Sequence, residues 1–172
     1  MSTIKNNFII VNWRGEDYYY HWLNESDPDL QKSKKTLVSG ICFDHTGQIM
    51  IIKENGELRF PGGSPKSTET FLETLHREIE EEANVLLQNP QLIGGFKVKK
   101  ANSQQPWSIQ LFYIADIKKI LTPQIDPESG QIHQRIFIDP ADLPKYLRWG
   151  KTGDQLFTAA LKKYHQFHTK NS

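Results

Sequence analysis

The segment from Glu69 to Ala83 constrains this chain more than any other. Leu72, Leu75, Ile79, Ala83 and Leu86 recur every three or four residues. That apolar stripe predicts an amphipathic helix starting near Glu69, with Ser67 or Thr68 as its cap. Glu78, Glu81 and Glu82 stand at positions i, i+3 and i+4. At about 100° per residue they share one flank, a quarter turn from the stripe. Carboxylates so placed repel one another by a few tenths of a kcal/mol per pair unless a cation sits among them. A hard divalent ion such as Mg²⁺ takes carboxylate oxygens and leaves room for phosphate. The bland alternative is a solvated acidic helix face, the commoner meaning of such a run. Pro61-Gly62-Gly63 just upstream shifts that balance, because two residues without Cβ let backbone and ligand come close.

The segments around the helix are strand-like. Phe8–Trp13, Thr36–Phe43, Gln48–Lys53, Glu57–Phe60, Gln91–Lys99, Trp107–Ile114 and Arg135–Ile138 are rich in β-branched and aromatic residues. Asp44-His45-Thr46-Gly47 is a good hairpin turn. Leu156, Phe157, Ala160, Leu161 and Tyr164 give Asp154–Phe167 the spacing of a closing helix. Strands, helix, strands, helix predict an α+β chain folded as an α/β/α sandwich with a mixed central sheet. Residues 1–35 read as an N-terminal extension holding a strand and the aromatic cluster Asp17–Trp22. Asn24–Lys35 reads as a loop. The main domain spans 36–168, and residues 169–172 form a polar tail.

Composition limits the partners. The 172 residues carry 21 Lys+Arg against 20 Asp+Glu, a net charge of +1, so bulk attraction to nucleic acid is not expected. The mean hydropathy is −0.58 and no apolar run approaches a membrane span, so no membrane partner is expected. Met1–Asn7 is polar and unlike a signal peptide. Cys42 is the one cysteine. An intramolecular disulfide is excluded, and a reducing cytoplasm is the simplest compartment.

The stretch Gly63-x5-Glu69-x7-Arg77-Glu78-Ile79-x-Glu81-Glu82 resembles the Nudix box, G-x5-E-x7-R-E-U-x-E-E-x-G-U, with U apolar. Residues 63–85 match throughout except that Asn84 stands for the last glycine. A chance match to the fixed and apolar positions is on the order of one in a million for a chain this long. Asp126-Pro127-Glu128-Ser129-Gly130, Arg135 and Trp149-Gly150 look like a bacterial, MutT-like subgroup of the family. The resemblance implies the Nudix sandwich fold and metal-dependent hydrolysis of a pyrophosphate bond in a nucleoside diphosphate linked to another group. It implies Mg²⁺ or Mn²⁺ as cofactor and a nucleotide-derived small molecule as substrate.

The resemblance also implies roles. Glu78, Glu81, Glu82 and the Gly63 carbonyl would hold the metal, with Glu81 a further ligand or the base. Arg77 would orient a box glutamate through a bidentate pair, and Glu69 would accept at the loop–helix junction. Glu128 and Asp126 lie in a loop of the kind from which many members take a further base or ligand. They read equally as an acidic turn. Arg59 is a candidate phosphate contact or a surface arginine, and Lys97, Lys99 and Lys100 are candidate phosphate contacts against the commoner alternative of solvated surface. Trp107 and Tyr113 are candidates for stacking a base, against the alternative that strand aromatics are core. The six histidines lack metal-ligand spacing, and His76 reads as structural. The competing reading is a non-catalytic Nudix-like sensor that binds a nucleotide, though such domains usually lose box carboxylates. The extension is a candidate lid, sheet-edge cover or homodimer contact.

Overall fold

Two buried layers, one on each face of a mixed sheet, follow from the alternation along the strands. The computed structural model describes residues 8–32 and 34–170. Met1–Asn7 of the expected extension and Asn171–Ser172 of the expected tail lie outside them. The strands are β1 (Ile9–Trp13), β2 (Glu16–Asn24), β3 (Lys34–Phe43), β4 (Ile49–Glu54), β5 (Glu57–Arg59), β6 (Gly62–Gly63), β7 (Val85–Lys100), β8 (Ser108–Ile120) and β9 (Gln134–Ile138). The helices are α1 (Asp29–Lys32), α2 (Phe71–Ala83), α3 (Leu143–Tyr146) and α4 (Gly150–Lys170). The sheet order is β1-β2-β7-β8-β3-β4-β5, with β6 on β3 and β9 on β4. Among the described residues β3 and β8 pair in parallel, and the other pairs are antiparallel.

The period of two along β3 sorts the core. Val38 and Cys42 join Leu75, Ile79 and Ala83 of α2, whereas Ile41 and Phe43 join Leu156, Phe157 and Ala160 of α4. In β8, Ile109, Leu111, Tyr113 and Ala115 pack on the α2 side, and Phe112 and Ile114 on the α4 side. Glycine at position 40 lets α2 lie directly on β3, since a Cβ there would strike the Ile79 side chain. The pairing of β3 is divided. Val38 and Ser39 pair with Gly63 and Gly62, while Cys42 and Phe43 pair with Met50 and Ile49. The Pro61–Gly63 strap is therefore laid along β3 and delivered to α2.

Several boundaries differ from the sequence expectation. Helix α2 starts at Phe71, and its cap is Thr70, not Ser67 or Thr68. The Glu73 amide donates to Thr70 Oγ1 at 3.2 Å, and the Thr70 amide donates to Glu73 Oε2 at 2.7 Å, a reciprocal capping box. Glu69 consequently lies before the helix. Leu72 of the predicted stripe is exposed, so the packed face is Leu75, Ile79 and Ala83. Strand β7 begins at once after Asn84 and passes through Asn89-Pro90, where its register on β8 shifts between Gln88 and Gln91. An irregularity in the ladder accommodates a residue that lacks a donor. Helix α4 begins four residues before Asp154. The Asn24–Lys35 loop contains α1 and the start of β3. The aromatic cluster Asp17–Trp22 is strand β2, paired along β7.

Candidate active site

Arg77 is the hub of the site. Its Nε and Nη2 donate to Glu69 Oε1 and Oε2 at 2.5 and 2.9 Å, a planar fork on one carboxylate. Nη1 donates to Glu81 Oε2 at 3.1 Å, and Nη2 reaches the Ser64 carbonyl at 3.3 Å. Glu69 also accepts from the Lys66 amide and from Thr74 Oγ1. The Arg77 bonds lead in holding its carboxyl down at about 2. One arginine thus ties the loop before α2 to the third turn of the helix.

Glu78 is nearly fully buried, at 2% exposure. Its Oε1 lies 2.8 Å from Arg77 Nη1 but outside hydrogen-bonding geometry, and it is a buried oxygen without a hydrogen bond. Its carboxylate occupies the space that a Cβ on residue 63 would need, so any other residue there would displace the Glu78 carboxylate. Burial pushes the Glu78 pKa up, Arg77 opposes this, and the charges of Glu82 and Glu128 add to the rise. Among the described residues no three His, Cys, Asp or Glu side chains already converge on a point that would hold a metal. The box carboxylates instead face two guanidinium groups. The donor set still fits a hard cation. It offers an unsatisfied buried carboxylate oxygen, a glycine in contact with it and further carboxylates alongside.

Glu82 is also buried. Its Oε2 accepts from the Gly62 amide at 2.7 Å and from Arg59 Nη1 at 3.0 Å, and its Oε1 from Arg59 Nη2 at 2.5 Å. Gly62 has φ +152°, and a Cβ there would strike the Val38 carbonyl and Ser39. Arg59 reaches Glu54 as well, through Nε at 2.9 Å and Nη2 at 2.8 Å.

Two further devices fix the surroundings. In the loop after β8, Asp126 is buried and accepts from the amides of Glu128 and Ser129, both at 3.1 Å. Its Oδ2 lies 3.1 Å from Nε2 of the buried His133, which is also 3.1 Å from Ser129 Oγ. Burial alone would raise the Asp126 pKa, but these bonds outweigh it and hold the carboxyl at about 2. The clamp orders the loop carrying Glu128, whose charge is the smallest of the influences that raise the Glu78 pKa. At the far end of α2, Asn84 takes the left-handed conformation at φ 51° and ψ 50°. Its Nδ2 donates to the Glu80 carbonyl at 3.0 Å, and its Oδ1 accepts from the Gln124 amide at 2.9 Å. Arg135 Nη1 donates to the carbonyls of Ala83, Asn84 and Leu121 at 3.1–3.2 Å.

The structure thus gathers Arg59, Gly63, Glu69, Arg77, Glu78, Glu81, Glu82 and Glu128, and it leaves the predicted aromatic contacts elsewhere. Tyr113 is buried in the α2-side core. Trp107 stacks on Phe8 with ring centres 5.1 Å apart, in a groove also lined by Tyr19 and Lys99 but by no box residue. Lys97 and Lys100 pair with Asp29 and Glu16. Trp149 packs edge-on against Phe60. The sequence reading missed Glu54, Thr70 and His133. Thr70 was detectable, because Thr-x-x-Glu is a capping-box signature. Glu54 and His133 join the site only through tertiary contacts.

The NUDIX domain model matches residues 34–160, most of the chain. The chain belongs to the Nudix hydrolase family. Members of that family generally cleave pyrophosphate bonds and generally use divalent metals. Solved structures share the fold at low identity. The Bacillus subtilis pyrophosphohydrolase BsRppH, in a point-mutant form, has a TM-score of 0.66 at 21% identity, over 87% of this chain and 91% of that one. MutT, described from Aliivibrio salmonicida and Vibrio cholerae, has a TM-score of 0.55 at 23% identity, over 73% and 94%. A Nudix hydrolase from Nitrosomonas europaea has a TM-score of 0.57 at 15% identity, over 77% and 90%. No curated protein sequence matches the chain. Among the described residues, no helix of this Nudix protein is long and apolar enough to cross a membrane.

Proposed function

We propose that this Nudix protein is a Mg²⁺- or Mn²⁺-dependent pyrophosphohydrolase acting on a nucleoside diphosphate linked to a further group. The observation that carries this reading is Glu78, whose buried Oε1 lacks a hydrogen bond beside Gly63 and has in ion-pair range only Arg77, a guanidinium already shared with Glu69 and Glu81. A charge so placed costs stability unless a cation shares the site. The Gly63 carbonyl, Glu78, Glu81 and Glu82 would hold the ion. When bound, it neutralises phosphate oxygens and makes water a better nucleophile.

The protein's own residues supply the rest. Arg77 fixes Glu69 and Glu81 relative to the strap. Glu81 gives that arginine one oxygen and keeps a quarter of its side-chain surface open, which suits a proton acceptor for the attacking water. Glu128, on its clamped loop, is the second acceptor within the cluster. The buried Gly62–Glu82 contact keeps the strap in register with the helix.

The test is a product assay with Mg²⁺ or Mn²⁺ across ADP-ribose, nucleoside triphosphates, dinucleoside polyphosphates, sugar nucleotides and capped RNA ends. At least one should release phosphate or nucleotide in a metal-dependent way. Glu82→Gln should keep the fold and lower turnover at least about a hundredfold. Undiminished turnover in that variant would remove Glu82 from the site. Nucleotide binding without metal-dependent product, across the whole panel, would favour a sensor over an enzyme.

A further inference from the structure

The two arginines of the site differ in the carboxylate each one forks and in how open they are. Arg77 is locked by the bidentate fork on Glu69, by Glu81 and by the Ser64 carbonyl, and its side chain is 17% exposed. Arg59 forks in the same way onto Glu82, but it also holds Glu54 through Nε and Nη2 and the Phe60 carbonyl through Nη1, and it is more open, at 27% exposure. Both oxygens of Glu82 are already taken, by Arg59 and by the Gly62 amide. A cation can use that carboxylate only if a donor leaves. The Gly62 amide is backbone, packed where even a Cβ would hit the Val38 carbonyl, so it cannot swing away cheaply. Arg59 is a side chain with a second anion already in hand. On leaving Glu82 it keeps its contacts to Glu54 at 2.8–2.9 Å and is not stranded as a buried charge.

Charge points the same way. Five carboxylates in these ion pairs (Glu54, Glu69, Glu78, Glu81 and Glu82) face two guanidinium groups, leaving a formal excess of three negative charges. A divalent cation would remove most of that excess and would replace Arg59 as the partner of Glu82. The donors that Arg59 would free, one N–H each of Nη1 and Nη2, lie beside Glu82, while Nη1 keeps the Phe60 carbonyl and Nη2 keeps Glu54. A pyrophosphate held at such a cation would present oxygens there that a guanidinium fork matches.

We propose that Arg59 is an exchangeable counter-cation: it holds Glu82 in the metal-free protein, yields it to the divalent ion, and then contacts the substrate's phosphate oxygens. This rests on the metalloenzyme reading of the same site. Arg59 competes with the metal in the empty protein and assists the substrate in the loaded one. Its removal must therefore tighten metal binding and weaken substrate binding, two opposite effects that a merely structural arginine would not give.

The experiment is titration of the intact protein with Mn²⁺ alone, read by the electron paramagnetic resonance signal of free Mn²⁺. Steady-state kinetics on the best substrate of the panel accompany it. Arg59→Gln should bind Mn²⁺ about tenfold more tightly than wild type, and KM should rise about tenfold or more at saturating metal. Arg59→Lys keeps the charge but loses the fork, so its Mn²⁺ affinity should fall between the two while KM still rises. Unchanged or weaker Mn²⁺ binding in a folded Arg59→Gln protein overturns the exchange. So does an unchanged KM. If the wild-type chain binds no Mn²⁺ and Glu82→Gln is no different, the metal site itself is wrong, and the proposal falls with it. Should Arg59→Gln fail to fold, Arg59→Lys decides on the same readings.

Discussion

Two buried carboxylates respond to pH in opposite senses, because hydrogen-bond donors surround one and burial dominates the other. Asp126 is surrounded by donors, and its folded-state pKa lies at about 2, below the ordinary range for Asp. Its contribution to stability is present above that ordinary range and is lost as pH falls through about 2. Glu78 is the reverse case. Burial raises its pKa above the ordinary glutamate range, so folding binds its proton more tightly. Its contribution is fully present below that range and is lost as pH rises through the raised value. At neutral pH, then, the metal-free protein carries Glu78 at a cost. Glu78→Gln keeps the shape and removes the charge. The variant should show a higher melting temperature than wild type in chelator at pH 7, an advantage that shrinks as pH is lowered toward 4. Its metal-dependent turnover should fall at least about a hundredfold. A lower melting temperature in chelator would mean that the Arg77 contact, not burial, dominates Glu78.

At the level of elements, helix α2 was the most legible part of the chain, because its chemistry is local. Carboxylate spacing, the apolar stripe and the glycines before it are properties of neighbouring residues. What the sequence hid is what those carboxylates touch. Arg59 is a candidate phosphate contact from the sequence, yet nothing local to its strand says that Glu82, 23 residues later, is forked by it. Pro90 suggested a strand start, and the ladder absorbed it in a register shift instead. The end of α2 is a clearer lesson. Asn84 departs from the family glycine, and a departure there suggests a looser helix end. The structure has the asparagine satisfying the left-handed turn while its side chain bonds to both Glu80 and the Gln124 amide. Restoring the family residue should therefore harm the fold. Asn84→Gly should cost about 1 kcal/mol in urea unfolding, since each lost hydrogen bond nets about 0.5–1.5 kcal/mol and glycine regains part through its ease at positive φ. No loss of stability would show that the side-chain bonds are idle.

Over the whole molecule, the question is whether the N-terminal hairpin is an appendage or part of the sandwich. The sequence reads residues 1–35 as an extension, with Asn24–Lys35 a loop, and the family model's match likewise begins only at residue 34. The packing argues otherwise. Strand β2 extends the main sheet along β7, with seven paired positions from Tyr18 on Lys100 to Asn24 on Gly94. Its side chains enter both layers: Leu23 is buried with the α2-side core, whereas Tyr20 and Trp22 pack on the α4-side core. Leu30 of α1 is buried beside Leu23. A strand that feeds two cores is not removable without opening both, and it covers the edge that β7 would otherwise expose. Leu23→Ala should cost about 2–4 kcal/mol in urea unfolding and lower the melting temperature in a single cooperative transition. Ile10→Ala, on the outer strand and 63% exposed, should change stability by under about 0.5 kcal/mol. If Leu23→Ala instead melts the hairpin in a separate early transition and leaves the main transition where it was, the hairpin is an independent appendage. If one transition shifts as a whole, the strands that precede the family domain belong to the same cooperative unit as the helix that carries its carboxylates.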